Sequence, residues 1–318
     1  MVARRCAAQK KVIAMNTLFS YLVFPGFLFS ACAGLLAGWV DRKLTARIQY
    51  RVGPPWYQNF VDILKLCYKE TIIPYAGARA IFLLSPIAGL LSMILVSSVL
   101  GKAIQSPLES FAGDLIVIIY LLIVPALALI IGASSSKNPF ASIGASREMK
   151  LILGYELPFV LAMAVVVIRS HGALNLGAII NRQIAFGPHI ASFSGALAFI
   201  VALLCVQAKL CLVPFDMSEA EQEIMAGALV EYSGVPLAVI KLTKALLLYS
   251  LPVLLISLFW VNNLNLLSLI MKYLVILSVI ILIKNTNPRL RIDQALRFFW
   301  GPVSVLAILA AALALVGL

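Results

Sequence analysis

The sequence has little charge. Of its 318 residues only 12% are Asp, Glu, Lys or Arg, whereas 62% are hydrophobic. A soluble domain typically carries about 25% charged residues, so this chain has too few to cover its apolar side chains in water. The same composition excludes a disordered chain, a collagen-like chain and a disulfide-bonded scaffold. Lipid must therefore cover much of the surface, and we expect an integral membrane protein.

Cysteine motifs are also lacking. The five cysteines are odd in number, none belongs to a Cys-x-x-Cys pair, and three lie inside apolar segments. They are Cys6, Cys32, Cys67, Cys205 and Cys211. That pattern predicts neither a disulfide framework nor an iron–sulfur or zinc site. We therefore expect this chain to bind no metal or other cofactor itself.

The charge that is present is mostly positive, with 25 Lys and Arg against 13 Asp and Glu. A protein that binds nucleic acid needs a wetted basic face. Here the basic residues stand between long apolar runs, so no nucleic-acid partner is expected. The positive-inside rule explains the excess, because the cytoplasmic loops of membrane proteins are enriched in Lys and Arg.

Apolar runs of about 20 residues, the length that crosses about 30 Å of hydrocarbon, recur along the chain. Eight spans are predicted, with a turn at Asn262-Asn263 between the sixth and the seventh. They cover Thr17–Val40, Ala80–Gly101, Leu115–Ser136, Leu151–Ile168, Ile190–Ala208, Ala245 to the turn, the turn to Ile283, and Phe298–Leu318. The predicted fold class is an all-α integral membrane bundle, with residues 1–318 forming one membrane domain.

Long loops rich in Lys and Arg alternate with loops that have few. The long ones lie at about 41–79, 137–150, 209–235 and 284–297. They are predicted to be cytoplasmic, so both termini of this multi-pass chain would lie outside the cell membrane. The basic N-terminal tail, residues 1–16, disagrees with this topology because it would be exported.

The first long loop contains an amphipathic segment, Asn59–Glu70. Asp62, Lys65 and Lys69 recur at helical spacing, and apolar residues fill much of the rest. This pattern is typical of a helix that lies in the membrane interface. Composition alone leaves two interpretations open, a solvated helix that anchors the bundle and a surface that docks a partner.

The third long loop is the richest in acid. Ser218 followed by Glu221 matches a capping box, which predicts a helix from there to about Tyr232. Glu219 and Glu221 would then offset the positive end of the helix dipole, a purely structural role. The acidic residues of this loop are Asp216, Glu219, Glu221, Glu223 and Glu231.

Two carboxylates lack such a structural explanation. Glu231 falls at the wrong end of the predicted helix for a negative charge, and Glu156 lies within an apolar span. A carboxylate inside a membrane is costly, so it marks a functional site by default. Carboxylates that are buried together can exchange protons near neutral pH. The acidic residues are therefore a candidate proton path.

Several segments carry a more specific signal than composition. They are Arg51-Val-Gly-Pro, Asp62-x-x-Lys65-Leu-x-x-Lys69-Glu70, Tyr155-Glu156, the run from Pro214-Phe215-Asp216 to Tyr232-Ser233-Gly234, and Asn285–Gly301. Together they resemble the family of respiratory complex I subunit 1, also called the H subunit. That family also includes the matching subunit of membrane-bound nickel–iron hydrogenases.

The resemblance implies a membrane subunit that has no redox centre and is not catalytic alone. Its partners would be iron–sulfur and catalytic hydrophilic subunits, which would hold iron–sulfur clusters and a nickel–iron centre, and antiporter-like membrane subunits. The interface with the hydrophilic arm would involve Arg42, Arg47, Arg51, Asp62, Lys65, Lys69, Glu70, Arg147 and Glu148. The family's acidic channel, a proton path, would match Glu156, Asp216, Glu219, Glu221, Glu223 and Glu231.

Two departures from the family pattern place a quinone site in doubt. The loop Gly53-Pro54-Pro55-Trp56-Tyr57-Gln58 is shorter than in quinone-reducing members, and Lys209–Val213 replaces a Glu-x-Asn-Arg-x run. The resemblance therefore favours the hydrogenase-type branch, in which ferredoxin-dependent hydrogen evolution is coupled to proton or sodium translocation. Quinone reduction and the reduction of sulfur compounds stay open as alternatives. A free-standing ion carrier ranks last, because the chain lacks inverted repeats and paired broken helices.

Overall fold

Helices dominate the part of the chain that this computed structural model describes, residues 19–75 and 77–317. No strand occurs within those residues, so the predicted all-α class is confirmed. The basic tail, residues 1–16, lies outside the described residues, and so do the side chains of Glu109, Glu221 and Gln222.

The helices differ widely in length. In chain order they are α1 (Phe27–Ile48), α2 (Gln58–Tyr68), α3 (Arg79–Gln105), α4 (Asp114–Leu121), α5 (Val124–Ser135), α6 (Pro139–Arg169), α7 (Leu176–Phe186), α8 (Phe193–Lys209), α9 (Glu221–Ile224), α10 (Gly234–Phe259), α11 (Leu266–Thr286), α12 (Ile292–Phe298) and α13 (Ser304–Val316). A π-helical segment, Phe299–Val303, joins the last two.

Seven helical stretches of the described chain are long and apolar enough to cross a membrane. The stretch that contains α4 and α5 counts as one of them, as does the stretch that contains α12 and α13. The remaining predicted span, Ile190–Ala208, corresponds to α8, which has 17 residues and is therefore about 26 Å long. Each predicted span thus has an apolar helix.

Two local predictions are confirmed. The amphipathic segment predicted at Asn59–Glu70 forms α2, Gln58–Tyr68. The turn predicted at Asn262-Asn263 separates α10, which ends at Phe259, from α11, which begins at Leu266.

The predicted loop at 137–150 is wrong, because nearly all of it belongs to helix α6. This helix has 31 residues, which makes it about 46 Å long and thus longer than the roughly 30 Å of hydrocarbon. Asn138 caps its start by accepting a hydrogen bond from the backbone N–H of Phe140 at 2.9 Å. Pro139 at the first position suits a helix start as well. One continuous helix therefore carries both Glu148 and Glu156.

The helix predicted from Ser218 to Tyr232 is also wrong. Only the four residues of α9 are α-helical, and the next three, Met225, Ala226 and Gly227, all have positive φ. The chain turns back so that the N–H of Ala228 donates to the carbonyl of Ser218 at 3.2 Å. Packing against α6 overrides the capping signal, because this turn lies directly on Gly144.

The core lies around α6 and α10. Helix α6 packs against α5, α8 and α13, while α10 packs against α1 and α3. Tyr155 and Phe159 of α6 are fully buried, as are Phe215 and Phe299. Thus α6 runs through the centre of the bundle, from the acidic loop at its start to the opposite end of the bundle.

Replacing Gly144 by Ala is expected to destabilise the protein by about 1–3 kcal/mol, the usual cost of overpacking. A Cβ at this position would lie 2.4 Å from the backbone nitrogen of Ala228. Because that neighbour is backbone, the acidic loop would have to move away from α6. The measurement is the thermal unfolding midpoint of the purified complex.

Gly301→Ala is the matched control, because no described residue outside the neighbouring helix backbone has an atom within 4 Å of the position that a Cβ at Gly301 would take. Equal unfolding midpoints for the two variants would show that the contact at Gly144 does not hold the acidic loop.

Candidate functional site

A small cavity lies where the first third of α6, the end of α8 and the middle of α10 meet. Its volume is about 60 Å³, enough for a few water molecules, since one needs on the order of 10–15 Å³. Four of its lining side chains are charged: Glu148, Lys209, Glu219 and Lys244. Such a set within an apolar bundle is unusual, because an uncompensated buried charge is costly.

Lys209 and Glu156 form the deepest ion pair. The Lys209 side chain at the end of α8 is 2% exposed, and its Nζ contacts Glu156 Oε1. The same Nζ lies 4.8 Å from the ring centroid of Tyr155 and 4.5 Å from that of Phe159, so two aromatic faces also stabilise the cation. Glu156 Oε2 is buried and has no hydrogen-bond partner among the described residues. It is therefore available to a water molecule or a proton.

Lys244 and Glu219 form a second ion pair across the cavity. Lys244 lies on α10, and its Nζ contacts Glu219 Oε1 of the acidic loop. A lysine in or beside an apolar run can pair with an acid or reach the membrane interface, and Lys244 and Lys272 differ in this respect. Lys272 instead donates to the carbonyl of Trp260 at 2.9 Å. The second pair thus fixes the acidic loop to a transmembrane helix.

Glu148 forms no salt bridge with a lysine in the described part of the chain. The resemblance places this residue at the junction with the hydrophilic arm, but the structure buries its side chain to 1% exposure beside the cavity. The Cys211 thiol points at its two oxygens, at 3.4 and 3.5 Å. Burial, and then the nearby Glu148, raise the pKa of Cys211 well above its usual value. The thiol therefore stays protonated and can donate to the carboxylate.

The other acids of the predicted path lie closer to the protein surface. Asp216 pairs with Arg289 at 3.0 Å, and burial raises its pKa although Arg289 opposes the change. Glu223 is exposed and accepts from Arg147 Nη1 at 2.6 Å. Glu231 is half-buried and accepts from the side-chain amide of Asn138.

The structure therefore brings together some of the residues predicted for the proton path. Glu219 lies at the cavity, and Glu156 reaches it through Lys209. The side chain of Glu221 lies outside the described residues. The prediction from sequence did not include Lys209 and Cys211 in the site. The position of Lys209 at the end of an apolar run is the signal that could have identified it. A lysine buried there needs a partner of opposite charge.

The residues predicted for the junction with a hydrophilic arm are mostly exposed. This holds for Arg42, Arg47, Arg51, Lys65, Lys69 and Glu70, which lie on or beside α1 and α2. Arg42 pairs with Asp62 across these two helices at 2.9 Å. Partial burial raises the pKa of Asp62, but hydrogen bonds from Arg42 and Gln58 outweigh that effect and hold it below its usual value.

Large apolar side chains stand exposed among these charges. Tyr50 and Val52, next to Arg51, are 100% and 94% exposed, and Tyr68 at the end of α2 is 90% exposed. Aromatic and arginine side chains are enriched at protein interfaces. We name the exposed residues 47–57 together with the end of α2 the basic aromatic surface.

Comparison with known proteins gives consistent matches over nearly the whole chain. The family model described as NADH dehydrogenase matches residues 19–315. The H subunit of NADH-quinone oxidoreductase from Geobacillus sp. (strain WCH70) is 31% identical over 95% of this chain and 92% of the relative. The corresponding protein of Anoxybacillus flavithermus is 32% identical over 92% of this chain and 90% of the relative.

A solved structure is similar as well. A chain of the membrane-bound sulfane sulfur reductase, an archaeal respiratory membrane complex, is 29% identical with a TM-score of 0.85. The likeness covers 94% of this chain and 99% of that one.

Replacing Lys209 by Met is expected to destabilise the protein by about 3–5 kcal/mol, because the carboxyl group of Glu156 would lose its buried cationic partner. The double variant Lys209→Met/Glu156→Gln should recover most of this loss, since it removes both charges. Thermal unfolding of the purified complex measures both effects.

Arg42→Met is the control, because it breaks the ion pair between Arg42 and Asp62. The two side chains of that pair are 49% and 30% exposed, respectively. The loss there should be at most about 1 kcal/mol. A double variant no more stable than Lys209→Met would show that the pair does not stabilise this site.

Proposed function

This chain belongs to the NADH dehydrogenase family that includes the H subunit of NADH-quinone oxidoreductases, and we propose that it couples electron transfer in a docked hydrophilic arm to ion translocation. It is a multi-pass membrane subunit of a complex I-like respiratory complex. The observation that carries the proposal is a cluster of charged side chains: Glu148, Glu219, Lys209 and Lys244 line one small cavity, and Glu156 pairs with Lys209 at its edge.

The charge balance of the cluster supports proton binding. Three carboxylates face two ammonium groups, so one negative charge is left without a cation. Glu148 is the carboxylate in excess, because Lys209 pairs with Glu156 and Lys244 pairs with Glu219. Glu148 itself is held by the neutral Cys211 thiol and Ser218 hydroxyl, and it lies close to both members of the Lys244–Glu219 pair. Binding a proton would neutralise it at lower cost than burying it ionised. Glu148 is therefore the group whose protonation state changes in our proposal.

The acids nearer the surface provide a route to this group. Asp216 and Glu223 are held by arginines at the loop surface, and Glu219 stands at the cavity. A proton that reaches Glu219 would weaken its pair with Lys244, which would then favour ionised Glu148. Glu156 continues the series into the bundle through Lys209. The resulting change in the charge of these residues would drive ion translocation in antiporter-like membrane subunits.

The basic aromatic surface supports docking of the hydrophilic arm. Its exposed Arg47 and Arg51 stand beside Tyr50 and Val52, which are almost fully exposed. A docked partner would cover the apolar side chains of Tyr50 and Val52 and so remove them from water, which is favourable. The arm would contain the iron–sulfur clusters and a nickel–iron centre, which this chain does not bind in our proposal.

The size of the cavity supports an electron acceptor other than quinone. Pockets for small organic ligands measure about 300–1,000 Å³, whereas this cavity has about 60 Å³. Lys209 and Cys211, which replace residues of the quinone-reducing pattern, are used in internal contacts with Glu156 and Glu148. We therefore favour ferredoxin-dependent hydrogen evolution as the reaction of the complex.

Sulfur reduction is the second candidate, and the likeness to the sulfane sulfur reductase chain favours it. The set of polypeptides that purify with this chain separates the candidates. A partner that binds nickel would support hydrogen evolution, and its absence together with sulfane sulfur reduction by the complex would support the second candidate. A chain that transports ions alone would contradict both.

Glu148→Gln is expected to reduce ion translocation per electron to the background level while the complex still assembles. Glutamine fills the same space and can accept from the Cys211 thiol, but it cannot bind and release a proton. The measurement compares ion uptake and electron transfer in vesicles that contain the whole complex.

Asp293→Asn is the matched control, because Asp293 is exposed at the start of α12 and away from the cavity. Normal translocation by Glu148→Gln would contradict the role of Glu148, and equal loss of assembly would reduce that role to a structural one.

Arg51→Glu is expected to release the hydrophilic arm during purification. The reversed charge would stand at the centre of the basic aromatic surface, where like charges of the partner would repel it. Gel filtration of the complex reports whether the arm stays bound. Lys102→Glu is the control, since Lys102 lies near the opposite end of α3. An intact arm in Arg51→Glu would count against this docking surface.

A further inference from the structure

A second cavity lies at the other end of α6. The length of α8, which runs from Phe193 beside this cavity to Lys209, separates it from the charged cluster. Its volume is about 430 Å³, within the range of ligand pockets. It is bounded by the end of α6, the end of α7 and the start of α8, and it opens to the surface. None of the functions proposed above uses it.

The charges around this second cavity are all positive or neutral. Its lining includes Arg169, Arg182, His171 and His189, and no carboxylate is among the described lining residues. Arg182 Nη1 donates to the carbonyl of Ser170 at 3.2 Å, and its guanidinium lies 5.5 Å from the ring centroid of Phe186. Since a guanidinium has five N–H donors in a fork, Arg182 is held in place and can still donate to an anion.

The start of α8 adds to the positive potential. Ser192 caps this 17-residue helix by accepting a hydrogen bond from the N–H of Gly195 at 3.1 Å, and Ser192 also lines the cavity. The free backbone N–H groups and the dipole at a helix start both favour anions. The helix end and the two arginines therefore act on the same space.

His189 lies among these positive charges. Its Nε2 lies 3.1 Å from the Ser170 hydroxyl, and the residue is buried. Burial, and then the charges of Arg169 and Arg182, lower its pKa to about 4. The imidazole is therefore neutral at pH 7. The two guanidinium groups remain as the side-chain cations that flank it.

We propose that this cavity binds the phosphate group of an anionic phospholipid. Guanidinium groups match phosphate oxygens through paired hydrogen bonds, and Arg169 and Arg182 line one space of suitable size. Phe186 and Phe193 beside it are 83% and 66% exposed. Phe193 stands at the start of α8, a predicted span, and aromatic side chains are enriched where membrane spans meet the lipid headgroups. Lipid, rather than phosphate from solution, is therefore the source that the surroundings favour.

The test measures lipid binding to the whole purified complex in detergent by native mass spectrometry. Phosphatidylglycerol should bind and phosphatidylcholine should not compete for the site, since the proposal rests on net negative charge. Arg182→Gln should weaken phosphatidylglycerol binding by about tenfold, because one charge-assisted contact is lost. Arg182→Lys, which keeps the charge but loses the fork, should fall between this variant and the wild type.

Lys102→Gln is the matched control, because it removes a positive charge near the same end of the bundle, where Lys102 lies over the Tyr21 ring, outside the cavity. Its phosphatidylglycerol binding should equal that of the wild type. The proposal is overturned if the wild-type complex binds both lipids equally, or if Arg182→Gln and Lys102→Gln lose the same affinity.

A binding measurement with inorganic phosphate distinguishes a lipid headgroup from free phosphate as the ligand of this cavity. Phosphate that binds without any bound phosphatidylglycerol, and that is lost in Arg182→Gln, would identify a phosphate site and contradict a lipid site. If Arg182→Gln fails to assemble, the choice between phosphatidylglycerol and phosphatidylcholine by the wild-type complex still decides the question.

Discussion

One electrostatic constraint shapes this molecule: a charge within an apolar bundle needs an opposite charge beside it. An ion moved from water to a medium of low dielectric loses on the order of 20 kcal/mol of solvation in the ideal case, and several kcal/mol after relaxation. Glu156 and Glu219 meet this requirement through Lys209 and Lys244. Each pair joins distant parts of the chain. The contacts that compensate the buried charges therefore also stabilise the tertiary structure. Glu148 forms no ion pair with any other described residue, and its charge state is therefore the one that changes in our proposal.

Much of the fold is predictable from the sequence, because membrane spans depend on local composition. The apolar runs, the turn at Asn262-Asn263 and the amphipathic α2 all follow from short windows of residues. The acidic loop does not, since its capping signal competes with packing against Gly144. The ion pairs are unpredictable for a similar reason. Lys209 lies 53 residues from Glu156 in the chain, and no local pattern states that distant residues meet.

The two ends of α6 show how one long helix separates two chemistries. Near its start, carboxylates and lysines surround a small cavity of about 60 Å³. At its end, arginines and histidines surround a larger one of about 430 Å³ that is open to the surface. The first set suits the change of protonation that we propose, because its positive and negative charges nearly cancel and its side chains are buried or half-buried. The second favours a resident anion, because its charges add. The length of α6 keeps these opposite potentials apart.

The close approach at Gly144 has a mechanical consequence. With no room for even a methyl group between α6 and the backbone of Ala228, the acidic loop cannot shift towards the helix by itself. A push on the loop from a bound subunit would displace α6 and, with it, the carboxylates of Glu148 and Glu156. The close backbone contact at Gly144 thus links the position of the acidic loop to that of the helix that carries both buried carboxylates.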